Sequence, residues 1–209
     1  MPLVRVTNFA ISLDGFGTGE PQSLETPFGH AGMKLHQWRF DSLQDGAPDG
    51  IDALYGRQYD VGFGAEIMGA NKFGPPGWQD DPAWQGWWGE DPPFHTPTYV
   101  LTHRPRPPME MAGGTTFHFV DATAGEALAL AREAAGDLDV RIGGGATTVR
   151  AFVTEDLVDH LHVPVVPVVL GRGVRLWDDL EGLEERFHIE SVSAPSGVIH
   201  LSLTRRPRA

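Results

Sequence analysis

A short apolar run, Val140-Arg141-Ile142, ends in Gly143-Gly144-Gly145, and a helix-like segment from Thr147 to Val153 follows at once. Glycines between a strand and a helix let backbone N–H groups approach a ligand without a Cβ in the way. The first turn of the helix adds unpaired N–H donors and a partial positive charge. Such a turn is either a tight connection or a seat for phosphate or pyrophosphate. The segments around it, taken in order, favour the seat.

Val4 to Ile11 is rich in β-formers and reads as a strand, closed by a turn at Ser12-Leu13-Asp14-Gly15. The loop beyond holds Gly15, Gly17, Gly19 and Pro21, so it is mobile or shaped by a ligand. Met33 to Phe40 reads as a short helix with Leu35, Trp38 and Phe40 as candidate inward positions, and Asp52 to Gln58 as another. Tyr59 to Gly64 reads as a strand and Ala65 to Asn71 as a turn or short helix. Strands follow at Thr98 to Thr102 and Thr116 to Val120. Thr123-Ala124-Gly125-Glu126 is a capping box opening an alanine-rich helix that stops at Gly136. Asp139 to Ile142 is the next strand. His160 to Leu170 is β-rich, and Pro164 and Pro167 assign it to an edge or a bulge. Phe187 to Val192 and Val198 to Thr204 form a hairpin across Ala194-Pro195-Ser196-Gly197. This alternation predicts an α/β fold with a mostly parallel sheet, helices on both faces and a terminal antiparallel hairpin. Ligands of such sheets bind beyond the carboxyl ends of the strands.

The segment 73–97 stands apart. It carries Trp78, Trp84, Trp87 and Trp88 together with Pro75, Pro76, Pro82, Pro92, Pro93 and Pro97. Proline at that density opposes regular structure, and so much aromatic surface argues against a free linker. The segment is expected to pack on the body or to form an oligomer contact, and the chain is expected to be a homodimer through this segment or the terminal hairpin.

Length and charge bound the partners. The 209 residues suit one domain spanning 1–209. A net charge of −12 repels nucleic acid and anionic membranes, so neither is an expected partner, and no apolar run is long enough to span a bilayer. The chain has no cysteine, which excludes thiol catalysis and zinc–thiolate sites. It shows no secretory signal after Met1, and a cytoplasmic location is expected.

Several positions carry chemistry or a plainer role. Thr102, His103 and Arg104, just after Leu101, suit an adenosine 2′-phosphate, or form a solvated strand end. Asp14 faces a ligand or closes a turn. Asn71 and Lys72 reach a phosphate or sit in a surface turn. Arg172, between Gly171 and Gly173, binds an anionic substrate or marks an exposed turn. His160 and His162 share a strand face but have no third ligand, so no metal is expected.

Taken in order, Ala10 to Gly15, Met68-Gly69, Leu101-Thr102-His103-Arg104, Ile142-Gly143-Gly144-Gly145 and Val169-Leu170-Gly171-Arg172-Gly173 resemble the dihydrofolate reductase superfamily. The chain is most similar to the branch of the riboflavin-biosynthesis reductase domain. The resemblance covers nearly the whole chain and implies a three-layer fold that binds NADPH. It implies that Gly143, Gly144, Gly145, Ala146 and Thr147 hold the pyrophosphate and that Thr102, His103 and Arg104 surround the 2′-phosphate. It implies that Ala10, Gly17 and Thr18 face the nicotinamide and that Gly69, Asn71 and Lys72 lie near the phosphates, although Ala70 departs from the family pattern there. The folate-binding acid is missing from Met33-Lys34-Leu35-His36-Gln37-Trp38, which leaves Asp14 and His36 as candidate proton donors. The implied activity is NADPH-dependent reduction of a pyrimidine, pterin or flavin-like heterocycle. The alternative is a non-catalytic nucleotide- or flavin-binding protein on the same fold.

Overall fold

A computed structural model describes residues 2–59 and 61–207; residues 1, 60, 208 and 209 lie outside it. The strands, in chain order, are β1 (Val4–Val6), β2 (Ile11–Ser12), β3 (Phe16–Thr18), β4 (Phe63–Gly69), β5 (Pro97–Leu101), β6 (Met109–Glu110), β7 (Thr116–Val120), β8 (Asp139–Gly144), β9 (His160–Val166), β10 (Val174–Arg175), β11 (Phe187–Ser193) and β12 (Ile199–Arg205). The helices are α1 (Gln37–Ser42), α2 (Ile51–Arg57), α3 (Ala70–Phe73), α4 (Ala124–Ala135), α5 (Ala146–Thr154) and α6 (Leu183–Arg186).

One sheet runs β11-β12-β9-β1-β8-β4-β5-β7-β6, with β2 pairing β9 past the end of β1. Every pairing from β9 to β7 is parallel. The β11–β12 hairpin joins β9 antiparallel, and β3 and β10 form a separate ribbon. The fold is therefore α/β with a mostly parallel sheet and a terminal hairpin.

Side chains alternate across the sheet, so its two faces differ. On one face Val4, Val6, Ile67, Val140, Ile142, Leu161 and Val163 meet Ala127, Leu128 and Ala131 of α4 and Val149 and Phe152 of α5. The other face has two separate apolar caps. Ala10, Leu35, Trp38, Val166 and Val198 form the first. Met68, Phe73, Trp78, Phe94, Val100, Phe117 and Phe119 form the second. Between them runs a polar row fixed by register: His160, Arg5, Arg141, Glu66 and Thr98 lie side by side on successive strands.

The tryptophan-rich segment builds the second cap. Trp78 is buried and its indole N–H donates to the Ala70 carbonyl at 3.1 Å. The Trp84 indole donates to the Phe73 carbonyl at 3.2 Å, and Trp88 packs edge-on to Phe94 at 4.7 Å. The segment thus covers its own sheet.

Local signals and observed elements agree where short-range chemistry decides. Thr123 and Glu126 exchange the two bonds of a capping box at the start of α4. Elsewhere the expectations need correction. Val4 to Ile11 is two strands, because the chain leaves the ladder at Thr7 and Asn8 takes φ +54. The strand expected from Tyr59 begins only at Phe63, and of the turn or short helix expected at 65–71 only Ala70 and Asn71 are helical, in α3. Instead β4 is a central strand, disguised in the sequence by Gly64 and the buried Glu66. Phe40 points to solvent. β9 is interior, not an edge. Phe9 N–H donates to the His162 carbonyl, so the backbone groups of 162 and 164 face the gap between β1 and β2. A proline at 164 forfeits no ladder bond there.

Candidate active site

The three glycines have three different tasks. Gly143 lies against the Glu66–Lys72 ion pair, and a Cβ there would collide with Glu66 Oε1 and Lys72 Nζ. Gly144 sits at φ +112, where a Cβ would meet the Phe9 ring at 3.0 Å. Gly145 has an ordinary φ of −66 and open space where a Cβ would be. The Gly144–Gly145 peptide is cis. Gly145 is also the N-cap of α5, and no side chain caps that end. The space an anion could take is therefore beside Gly145, Ala146 and the exposed Thr147.

A second cavity lies along the same sheet edge, beyond the ends of β4 and β5. Gly69, at the end of β4, lies so close to Thr148 Oγ1 of α5 that a side chain would displace it. The next residue, Ala70, lines a cavity of about 350 Å³ with Leu101, Thr102, His103 and Arg104. Ile142 is buried in the core below, and Asn71 is exposed. A larger cavity of about 470 Å³ lies elsewhere, along Ser12 to Gly15 and Trp177. Asp14 there is already committed. It accepts from Ser12 Oγ at 2.5 Å, Leu170 N–H at 3.1 Å and Gly171 N–H at 2.7 Å. Slight burial raises its pKa, but these bonds outweigh it and hold it at about 2. A carboxylate that is ionised and fully bonded is ill suited to donate a proton, so the smaller cavity carries the argument.

The remaining expected residues divide. Gly17 lies against Phe9 and the Ala146 Cβ, facing the glycine loop. Thr18 pairs Val174 on the ribbon. Ala10 instead turns into the cap with Leu35 and Trp38, and Phe9 takes the place beside the glycines. Arg172 is exposed, between Gly171, whose N–H bonds Asp14, and Gly173, which packs on Thr18, and makes no ion pair among the described residues.

The polar row lies between the two caps, with Arg141, Glu66 and Thr98 buried. Arg141 Nε and Nη2 both donate to Glu66 Oε2, and Lys72 Nζ donates to Glu66 Oε1 at 2.7 Å. Burial pushes the Glu66 carboxyl up, but Arg141 and Lys72 outweigh it and hold it below the usual range. Lys72 is thus tied to Glu66 rather than pointing at the open space by Gly145. The guanidinium carbons of Arg39 and Arg141 each lie 4.2 Å from the Tyr59 ring centre. Burial raises the Tyr59 pKa, but Lys72 and Arg141 bring it below the ordinary value. His36 packs on Phe28 at 4.5 Å. Its burial, with Arg39 and Lys72 nearby, lowers its pKa to about 4. His36 is therefore a neutral imidazole near pH 7. Glu66, Arg141, Arg39 and Tyr59 were missed in the sequence. Their one signal was a charge in the middle of each of two β-rich runs.

His160 and His162 do face the same side. His162 Nδ1 accepts from Asn8 N–H at 3.3 Å, and its Nε2 lies 3.1 Å from His200 Nδ1. His200 Nε2 reaches Asp52 at 2.9 Å. Tyr55 stacks on both rings, at 4.0 and 4.7 Å. Among the described residues no group of three or more His, Asp or Glu is placed to hold a metal ion.

The family model described as the RibD C-terminal domain matches residues 4–201. The chain belongs to the RibD C-terminal domain family. Solved structures with this fold include a protein of Shewanella sp. PV-4 named for riboflavin biosynthesis, with 21% identity, 99% of this chain and 100% of that chain covered, and a TM-score of 0.58. A Thermotoga maritima diaminohydroxyphosphoribosylaminopyrimidine deaminase/5-amino-6-(5-phosphoribosylamino)uracil reductase matches at 13% identity and TM-score 0.56, over 98% of this chain and 57% of that one. Dihydrofolate reductase from Enterococcus faecalis, complexed with NADP(H), matches at 12% identity and TM-score 0.54, over 99% and 97%. No curated protein sequence matches the chain. Among the described residues no helix is long and apolar enough to cross a membrane.

Proposed function

We propose that this RibD-family domain is an NADPH-dependent reductase of a small heterocycle, in the pyrimidine, pterin or flavin class, as with 5-amino-6-(5-phosphoribosylamino)uracil. The supporting observation is the shared edge at the carboxyl ends of the neighbouring strands β8, β4 and β5, which carries the open, uncapped start of α5 at Gly145, then Gly69 and Ala70, then the cavity beside Thr102, His103 and Arg104. Its two ends have the donors that a pyrophosphate and an adenosine phosphate need. When bound, the dinucleotide supplies the hydride. The chain's own residues orient it: Phe9 and Gly17 border the glycine loop, and Gly143 keeps the loop pressed onto the Glu66–Lys72 pair. Arg39, Tyr59 and the neutral His36, packed around the polar row, offer the groups that a polar, hydrogen-bonding ring would need.

Gly145→Leu tests the reading. NADPH at a hundred times its dissociation constant should stabilise the wild type by about 2.7 kcal/mol. The leucine variant should melt like the wild type without nucleotide and gain almost nothing from NADPH. A folded variant that binds NADPH normally would remove the α5 site from consideration.

One observation favours the alternative of a nucleotide-binding protein without turnover. Asp14 is held ionised and His36 neutral, so neither expected proton donor is poised as an acid near pH 7. NADPH binding without loss of 340 nm absorbance, across pyrimidine, pterin and flavin substrates, would support that alternative. The expected homodimer would use the terminal hairpin, where Ile189 and Ile199 are exposed; a sedimentation mass near 22.8 kDa would exclude it.

A further inference from the structure

The cavity at Thr102 to Arg104 is bordered by two carboxylates that Arg104 and His103 already contact. Asp80 ends the short 3₁₀ turn Trp78–Asp80, and its Oδ1 accepts from Arg104 Nη2 at 2.6 Å. Asp121 lies just past β7, with Oδ1 2.9 Å from His103 Nδ1. Building on the nucleotide reading above, we infer that the Asp80 carboxylate competes with the cofactor's 2′-phosphate for Arg104. The tryptophan-rich segment then sets how strongly the phosphorylated cofactor is preferred.

Asp80 is held where it is by its neighbours. Trp78, two residues earlier, is buried in the second cap and its indole is bonded to the Ala70 carbonyl. Ala70 and Gln79 both line the cavity. The anchored segment therefore brings a negative charge to the edge of the pocket. Arg104 has donors enough for two acceptors, but a phosphate drawn beside a carboxylate meets like-charge repulsion. A cofactor with a plain 2′-hydroxyl meets none, because a carboxylate accepts a hydroxyl hydrogen bond. The Arg104 and Asp80 side chains are 58% and 71% exposed, so the pair itself is weak. A phosphate can displace the carboxylate, and the outcome is a graded preference rather than exclusion.

Titration calorimetry with NADPH and NADH on wild type and Asp80→Asn tests this. The NADPH dissociation constant should fall about three- to fivefold in the variant, with NADH binding no tighter than in the wild type and the melting temperature unchanged. Adding Arg104→Gln to Asp80→Asn should erase the gain. NADPH binding that is unchanged or weaker in Asp80→Asn overturns the inference and leaves the nucleotide site standing. A gain that survives the loss of Arg104 also overturns it, because the effect would then be long-range charge. If wild type and variant bind neither nucleotide, the site reading itself fails, and the inference with it.

Discussion

The two faces of the central sheet come from the same strands, yet they are held by different forces. Along β8, Val140 and Ile142 point to α4 and α5, where the neighbours are apolar and buried. Arg141 between them points the other way, onto Glu66. The first face is filled by packing. The second buries charge between two apolar caps, and a buried charge is tolerated only while its partners stay in place. A face built that way costs stability in exchange for polar groups held in fixed geometry.

The largest expected effect breaks that arrangement. Arg141→Leu leaves Glu66 buried with Lys72 as its remaining charge partner among those described, and should lower unfolding free energy by about 3–5 kcal/mol. Phe152→Ala on the helix face should cost about as much, through a cavity. The faces differ in the repair. Adding Glu66→Leu to Arg141→Leu should recover part of the loss, because the orphaned carboxylate is gone. Urea denaturation of the three variants decides it. A loss under about 1 kcal/mol for Arg141→Leu would mean that the polar row is solvated, and the contrast would collapse.

Acid should find the polar face next. Burial, then Arg39 and Lys72, lower His36 to about 4; burial, then His200 and His160, lower His162 to about 2. Both start from 6.5 in the unfolded chain. Their folded pKa values are depressed, so the unfolded chain binds the extra protons below about pH 6.5. Stability is full above that pH and falls as pH drops toward 4, by about 2 kcal/mol per unit near pH 5. His162→Phe should roughly halve the slope. A flat stability profile between pH 6.5 and 4.5 would show that the two imidazoles titrate as if exposed.

The same contrast explains what the sequence revealed. The capping box at Thr123, the hairpin at 194–197 and the glycine triplet are local, so neighbouring residue types specify them. The helix-face core showed through its apolar runs. The polar face did not, because Glu66 and Arg141 lie 75 positions apart, and each alone looks like a break in a strand. Glu66 led the greater part of β4, from Ala65 on, to be read as a turn or short helix. Pro164 led β9 to be read as an edge, because the gap left by the departure of β1 at Thr7 is a tertiary fact. The site residues followed the same rule. Thr102 to Arg104 and Gly145 have backbone signatures, whereas Arg39 and Tyr59 acquire a role only when α1 and α2 fold over the sheet.

The smallest effects come from the glycine loop, where the two faces meet within three residues. Gly143→Ala puts a methyl group into the Glu66–Lys72 pair and should cost about 1–3 kcal/mol, the range for overpacking. Gly145→Ala should do the opposite. Its φ of −66 suits alanine and no atom lies within 4 Å of the new Cβ. Restricting the unfolded chain there should raise stability by about 0.4–1 kcal/mol. The new methyl would nevertheless stand in the space proposed for the pyrophosphate, so NADPH affinity should fall while the melting temperature rises. Thermal melts with and without NADPH separate the two effects in one experiment. If Gly145→Ala is stabilised and binds NADPH as the wild type does, the open space at α5 is vacant surface. If Gly143→Ala is as stable as the wild type, the loop is not pressed onto the charged row, and the two faces are less tightly joined than the structure shows.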